Sequence, residues 1–472
     1  METFFNIYNL TNSVVTILSI AVAAYCVYRI MKRKKKVLLY CSGIVLALVV
    51  LILCIRELYK DYDLWYKIVR KPQTYYIADL NLSPKQCMDD FESIIEIVNE
   101  NYADIADYKG IDLQKLNTIY KERVANVENA QQYGGILLEY FAKLRNNHTY
   151  PYFDGYMAAV SLATRKDSIW VTTCQDRDIN LQKKDLIVSI NGLSTADYIS
   201  QKEELVCASS DIYRQKYAAL TALTSYTDTC IRLQIRRNEA VLDVSVPLYK
   251  EDEFMEKFSF QKDSLRMSPQ QVQDKLAFIK TKFFKALDDI GYIQIKDFEP
   301  GCVQRFCQQM DSVKNCPRLI LDLRNNGGGI QGLMTEIASY LLQKNVTIGN
   351  LTIKGDRDKC YKGNIYVLVN TFTGSASEIL LACLKKQSNV LVIGELTGGD
   401  CGFVKGLNFK SRYNIEFKLA TSVPPLLPDG TPSEGKGIAP DIIVEEGLPW
   451  ENWETSLIVA LNLIKQDKLK NN

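Results

Sequence analysis

At 472 residues the chain has room for roughly two to four domains, with a sizeable core in at least one. Lys+Arg 57 against Asp+Glu 55 leaves a net charge of +2, without the basic excess of a nucleic-acid binder. The single histidine, with no C-x-x-C pair among 13 cysteines, excludes a typical Cys/His zinc site.

Leu10–Met31 and Val37–Ile55 are mostly apolar. At 1.5 Å per residue each is long enough to cross a hydrocarbon core of about 30 Å. The short loop between them carries six cations, Arg29, Lys32, Arg33, Lys34, Lys35 and Lys36. The positive-inside rule puts that loop in the cytoplasm and everything after Ile55 outside it. Residues 1–60 are therefore expected to be a membrane anchor with two transmembrane helices, about 10–31 and 37–55. Residues 61–82, rich in aromatics and charge, read as a juxtamembrane connector. The expected location is the cell (inner) membrane, with the remaining chain on the periplasmic side.

Residues 83–155 carry apolar positions at helical spacing, as in Phe91, Ile94, Ile95 and Val98. Three helices are predicted, ending in Leu144-Arg-Asn-Asn-His148-Thr149. Residues 156–250 change to strand-like runs, including 168–172, 186–190, 231–235 and 241–246, with a turn at Arg237-Asn238. Lys184-Asp-Leu-Ile-Val-Ser-Ile-Asn-Gly192 resembles a PDZ signature. The glycine-rich carboxylate-binding loop of PDZ domains is not evident, and a helical insertion at 200–223 intervenes. From about Phe278 strands and helices alternate, which predicts a mainly parallel α/β core over 251–472. Active sites in such sheets lie beyond the C-terminal ends of strands.

Two turns fall there. Leu321-Asp-Leu-Arg-Asn-Asn-Gly-Gly-Gly329 ends a buried strand in three glycines, which let backbone N–H groups approach a ligand. It lacks the Lys-Ser/Thr of a P-loop and the spacing of a dinucleotide fingerprint, so an oxyanion donor is the better reading. Thr373-Gly-Ser375-Ala-Ser-Glu378 follows the apolar run Ile365–Val369 and precedes a helical run. It presents a hydroxyl at a helix N-terminus, as a nucleophile would be presented. Ser375-x-x-Glu378 is equally a capping box.

The order of "DLRNNGGG", "TGSASE", "GELTGG" and "EGKGIAPDI" resembles the C-terminal processing (tail-specific) serine peptidases over about residues 83–465. The resemblance implies a ClpP/crotonase-like core preceded by a helical segment and a PDZ-like domain. One branch of that family uses a Ser-Lys dyad. Here Asp400 occupies the lysine's slot, and a carboxylate cannot serve as the amine base; Lys405 lies five residues on. The other branch, similar to the tricorn core protease, uses Ser, His and Glu. Its histidine slot matches His148, with Asn146-Asn147 in place of Asp-Gly, and its glutamate slot matches Glu434. The resemblance thus implies Ser375 as nucleophile, His148 as base and Glu434 as the carboxylate orienting the imidazole. Ala376, with Gly328 or Gly329, would supply the oxyanion hole, and Glu378 and Thr397 would act as supports. An imidazole with an ordinary pKa of about 6.5 suits proton transfer near neutrality. The expected activity is acyl-enzyme hydrolysis of peptide or protein substrates, with no metal or cofactor. The alternative is an inactive peptide-binding scaffold on the same fold.

Overall fold

A computed structural model of the chain describes residues 72–258, 290–349, 351–400, 406–427, 430–432, 434–450 and 454–470. The two expected membrane spans, the first half of the connector and Lys405 lie outside the described residues. Among the described residues no helix is long and apolar enough to cross a membrane. Gln73–Asn472 form one compact unit.

Helix α1 (Pro84–Lys109) starts at Ser83, whose Oγ accepts from Gln86 N while Gln86 Oε1 accepts from Ser83 N. It ends at Gly110, which takes the left-handed conformation at φ +68°. Helices α2 (Leu113–Ala125) and α3 (Ala130–Lys143) are capped by the side chains of Asp112 and Asn129. The stripes predicted from spacing meet in one core, where Phe91, Ile94, Tyr102, Tyr140 and Phe141 are fully buried. The chain then passes His148 into the short strand β1 (Tyr150–Pro151).

Strands β2 (Val160–Arg165), β3 (Ser168–Cys174) and β4 (Leu186–Ile190) are followed by α4 (Thr195–Glu203) and α5 (Asp211–Leu220). Next come β5 (Cys230–Arg237) and β6 (Ala240–Pro247). They form an antiparallel sheet of order β6-β5-β4-β3-β2, with Leu193–Ser194 also paired to β4. Along β5 buried Ile231, Leu233 and Ile235 alternate with exposed residues, as a one-faced sheet requires. The helical insertion predicted at 200–223 is two helices, and α5 brings Ser209 and Ser210 at its start against Glu434 and Gly398.

A short helix α6 (Glu251–Phe258) precedes the α/β core. That core runs β7 (Ile290–Gln294), α7 (Cys302–Val313), β8 (Arg318–Asp322), α8 (Gln331–Ser339), β9 (Asn364–Val369), α9 (Ala376–Leu384) and β10 (Val390–Gly394). After β11 (Gly406–Lys410) and β12 (Glu416–Ala420), β13 (Ile442–Ile443) completes a parallel sheet of order β7-β8-β9-β10-β13. Alternate residues face opposite sides. Leu319, Leu321, Ile365 and Val367 pack under α7, α8 and α9, whereas Ile320, Tyr366 and Leu368 pack under the terminal helix α10 (Thr455–Lys470). The expected α/β core is therefore present and covered on both faces.

One strand departs from this layer. It is β12, and it pairs antiparallel with β11 and with β1. Phe417 and Leu419 are fully buried in the core of the N-terminal helices, with the Phe417 ring 5.2 Å from that of Phe141. Sequence distance hid this, because a strand's partners are set by tertiary contacts nearly 270 residues away (Thr149 Oγ1 accepts from Ala420 N with a separation of 271).

Candidate active site

Strand β9 ends at Val369, and the chain turns through Asn370–Gly374 into α9. The turn is stitched to the loop after β8. Asn370 and Asn325 exchange hydrogen bonds of 2.9 Å, Gly374 N donates to Asn326 O at 2.9 Å, and Thr373 Oγ1 donates to Leu323 O at 3.0 Å. At the helix start Ser375 adopts φ +53°, ψ −123°, a conformation that costs a non-glycine residue about 1–3 kcal/mol. The geometry is that of a strained strand-to-helix elbow, with a half-buried serine at its apex. Ala376 N follows at the helix N-terminus, where N–H groups have no intrahelical acceptor.

The glycine loop lies against this elbow. Gly328 sits at φ +104°, and a Cβ on it would fall 2.7 Å from Ser375 Cβ and 2.9 Å from Ala376 N. Only glycine allows that approach. Its own N–H already donates to Asn326 Oδ1 at 2.9 Å, so Gly328 serves as a close-packed spacer rather than as the free donor expected from sequence. Gly329, at φ +136°, is bridged to Phe298.

His148 leaves the N-terminal helices and has 19% of its side chain exposed. Its backbone N–H donates to Asn146 Oδ1 at 2.7 Å. Nδ1 stands 3.1 Å from Asp400 Oδ1, as an ion-pair contact rather than an aligned hydrogen bond. Burial pushes the imidazole pKa down, but the Asp400 carboxylate outweighs it and holds the value above the ordinary one. Asp400 also neighbours the turn before Ser375, since a Cβ on Gly374 would lie 3.9 Å from Asp400 Cβ.

Glu434 lies one step behind. Its backbone forms an antiparallel bridge with Asp400, and its Oε1 accepts from Ser209 Oγ at 2.6 Å, Lys109 Nζ at 2.9 Å and Asn146 Nδ2 at 3.0 Å. The carboxylate in contact with the imidazole is thus Asp400, not Glu434. The physical reason is the path of the 397–400 loop, which delivers Asp400 between histidine and Glu434. In sequence Asp400 had served only to exclude a lysine base. A carboxylate in a catalytic slot was the available signal for its position at the histidine. Asn146 and Asn147, departures from the family pattern, both have roles: Asn147 Oδ1 accepts from Ser209 N at 2.9 Å.

Glu378 ties these parts together. Its buried carboxylate accepts from Ser375 N, Thr397 Oγ1, Gly399 N and Asp400 N. Burial pushes its pKa up to about 8, against the pull of the Thr397, Gly399 and Asp400 donors toward the anion. Thr397 Oγ1 in turn accepts from Ile438 N at 2.7 Å. A cavity of about 620 Å³ opens beside His148, Asp400 and Gly327, and is also lined by Tyr150, Tyr213 and Lys418. Among the described residues no cluster of His, Cys, Asp and Glu forms a metal site.

Residues 289–444 match the model of "Peptidase family S41", and residues 165–248 match "Bacteroidetes, Peptidase, S41 family, N-terminal domain". The chain belongs to peptidase family S41. It is 29% identical over 168 residues to the carboxy-terminal processing protease CtpA of Bacillus subtilis (strain 168), covering 34% of this chain and 35% of that protein. It is 30% identical over 182 residues to a "Probable CtpA-like serine protease" of Staphylococcus aureus (strain bovine RF122 / ET3-1), covering 35% and 36%. These matches span about a third of the length of those relatives. Among solved structures the fold resembles mature CPAF, with a TM-score of 0.62 at 14% identity over 76% of this chain and 92% of that one.

Proposed function

We propose that this S41 family member is a membrane-anchored, extracytoplasmic serine endopeptidase, with Ser375 as nucleophile and His148 as general base. One observation carries the reading: Asp400 contacts the chain's single imidazole and packs against the turn that strains Ser375. Ser375 Oγ attacks the scissile carbonyl carbon as His148 takes its proton, and Asp400 stabilises the imidazolium. The tetrahedral oxyanion accepts hydrogen bonds from Ala376 N and from Gly329 N of the glycine loop. His148 returns the proton to the leaving amine, then activates the water that hydrolyses the acyl-enzyme. Glu434 acts from behind Asp400. The antiparallel unit at 156–250 is proposed as a PDZ-like module flanking the cleft; its Asn191-Gly192 turn, with positive φ at both residues, supports this.

The test is active-site labelling with a serine-directed phosphonate, together with turnover of a peptide library. Wild type is expected to label and cleave, and Ser375→Ala to do neither. Equal labelling of both proteins overturns the nucleophile, and peptide binding without cleavage by wild type makes the chain a scaffold. Anchoring rests on the sequence of residues 1–60. The full chain should stay in the membrane pellet after alkaline carbonate washing, and release into the supernatant would refute it.

A further inference from the structure

Two carboxylates are buried together behind the histidine, and something must balance their charge. Asp400 is 7% exposed and Glu434 5%. Ser209 Oγ lies between them, 2.6 Å from Glu434 Oε1 and 3.3 Å from Asp400 Oδ1. A hydroxyl has one proton to donate, so it can satisfy one carboxylate at a time. Lys109, the last residue of α1, reaches in from the N-terminal helices. Its Nζ lies 2.9 Å from Glu434 Oε1 and 2.5 Å from Arg145 O, with only 8% of its side chain exposed.

We propose that Lys109 is a positioning residue of the hydrolytic centre: its ammonium keeps Glu434 anionic, Glu434 accepts the hydrogen bond of the Ser209 hydroxyl, and Asp400 is left as an undivided acceptor for His148. The inference rests on the Ser375/His148 reading above. Isolated buried carboxylates take up a proton rather than stay charged side by side, so the lysine decides which of the two remains an acceptor. Burial and the Asp400 charge both raise the Glu434 carboxyl, and Lys109 and Ser209 oppose them. The other titratable groups facing Glu434 are Tyr102 of α1 and His148. Lys418 of β12 faces His148 and Asp400. Without Lys109, a protonated Glu434 no longer attracts the Ser209 proton, and Ser209 turns to Asp400 Oδ1 in competition with the imidazole.

The experiment is the pH dependence of kcat and kcat/KM for the full-length protein and the Lys109→Met, Lys109→Arg and Lys109→Met/Glu434→Gln variants, with Ser375→Ala as control. Lys109→Met should lower kcat by about ten-fold or more, a fraction of the 10²–10⁴ carried by a general base, with KM little changed. Its acid limb should shift. Lys109→Arg should restore most of the rate. The double variant, which removes both charges, should return the acid limb toward wild type. An unchanged pH profile in Lys109→Met overturns the proposal, as does a double variant no closer to wild type than the single one. If Lys109→Met fails to fold, the profiles of Lys109→Arg and the double variant decide in the same way. Full activity in Ser375→Ala would instead overturn the catalytic reading itself.

Discussion

Ser375 is held in a conformation that glycine favours, and its neighbour Gly328 explains how the strain persists. A side chain at Gly328 would meet Ser375 Cβ at 2.7 Å and Gly374 O at 3.1 Å, and the loop cannot yield without moving Ala376 N. Gly328→Ala should therefore cost catalysis more than stability. We expect kcat to fall about 10²–10³-fold, the scale of losing an oxyanion donor, with a thermal midpoint lowered by only a few degrees. Steady-state kinetics beside a melting curve would check this; equal losses in both would show a folding defect. Asp400 gives a second prediction. It holds the His148 pKa above the ordinary value of about 6.5, and in the proposed mechanism the imidazole must be neutral to accept the Ser375 proton. Asp400→Asn removes that pull, so the acid limb of kcat/KM should move to lower pH while kcat drops. A limb that stays in place would mean that another group sets it.

At the scale of elements, periodicity located most of the secondary structure. The strand–helix alternation expected from about Phe278 is present, and β4 is the 186–190 run named from its strand-like pattern. Local pattern suffices there because each element buries one stripe or one face. It failed to show where β12 goes. That strand joins the N-terminal helices through Phe417, and its neighbour Lys418 pairs with Tyr150, two residues beyond His148. Phe417→Ala should cost about 3–5 kcal/mol by opening a cavity among Phe141, Phe409 and the helices. Denaturant unfolding would measure it. Because β12 also fixes β1, turnover should suffer even where the variant remains folded; a fully active Phe417→Ala would show that β12 does not position His148. Glu378 links α9 to the 397–400 loop through three donors, beyond the Ser375 N–H of the helix cap legible in its Ser-x-x-Glu spacing.

For the whole molecule, the unit Gln73–Asn472 contains every contact of the site described above. A chain starting at Gln73 should therefore fold with a cooperative transition and keep the peptidase activity of the full-length protein. Loss of the folded state on trimming would show that residues 1–72 contribute to the core. The sequence by itself determined the element order, the strand-to-helix turn at Ser375, the glycine loop and the place of the lone histidine just after the N-terminal helices. Each is a local matter of spacing, turn chemistry or residue type. Only the tertiary structure decided which carboxylate meets the imidazole. Asp400 and Glu434 both carry the required chemistry, and nothing local ranks them. The choice is made by backbone contacts between distant loops: the Asp400–Glu434 bridge, the Glu378 clamp on Asp400 N and the reach of Lys109 from α1 to Glu434. A triad needs side chains within hydrogen-bond distance, and that distance is set by packing across more than 300 residues of chain (Lys109 and Glu434 are 325 apart) rather than by any motif.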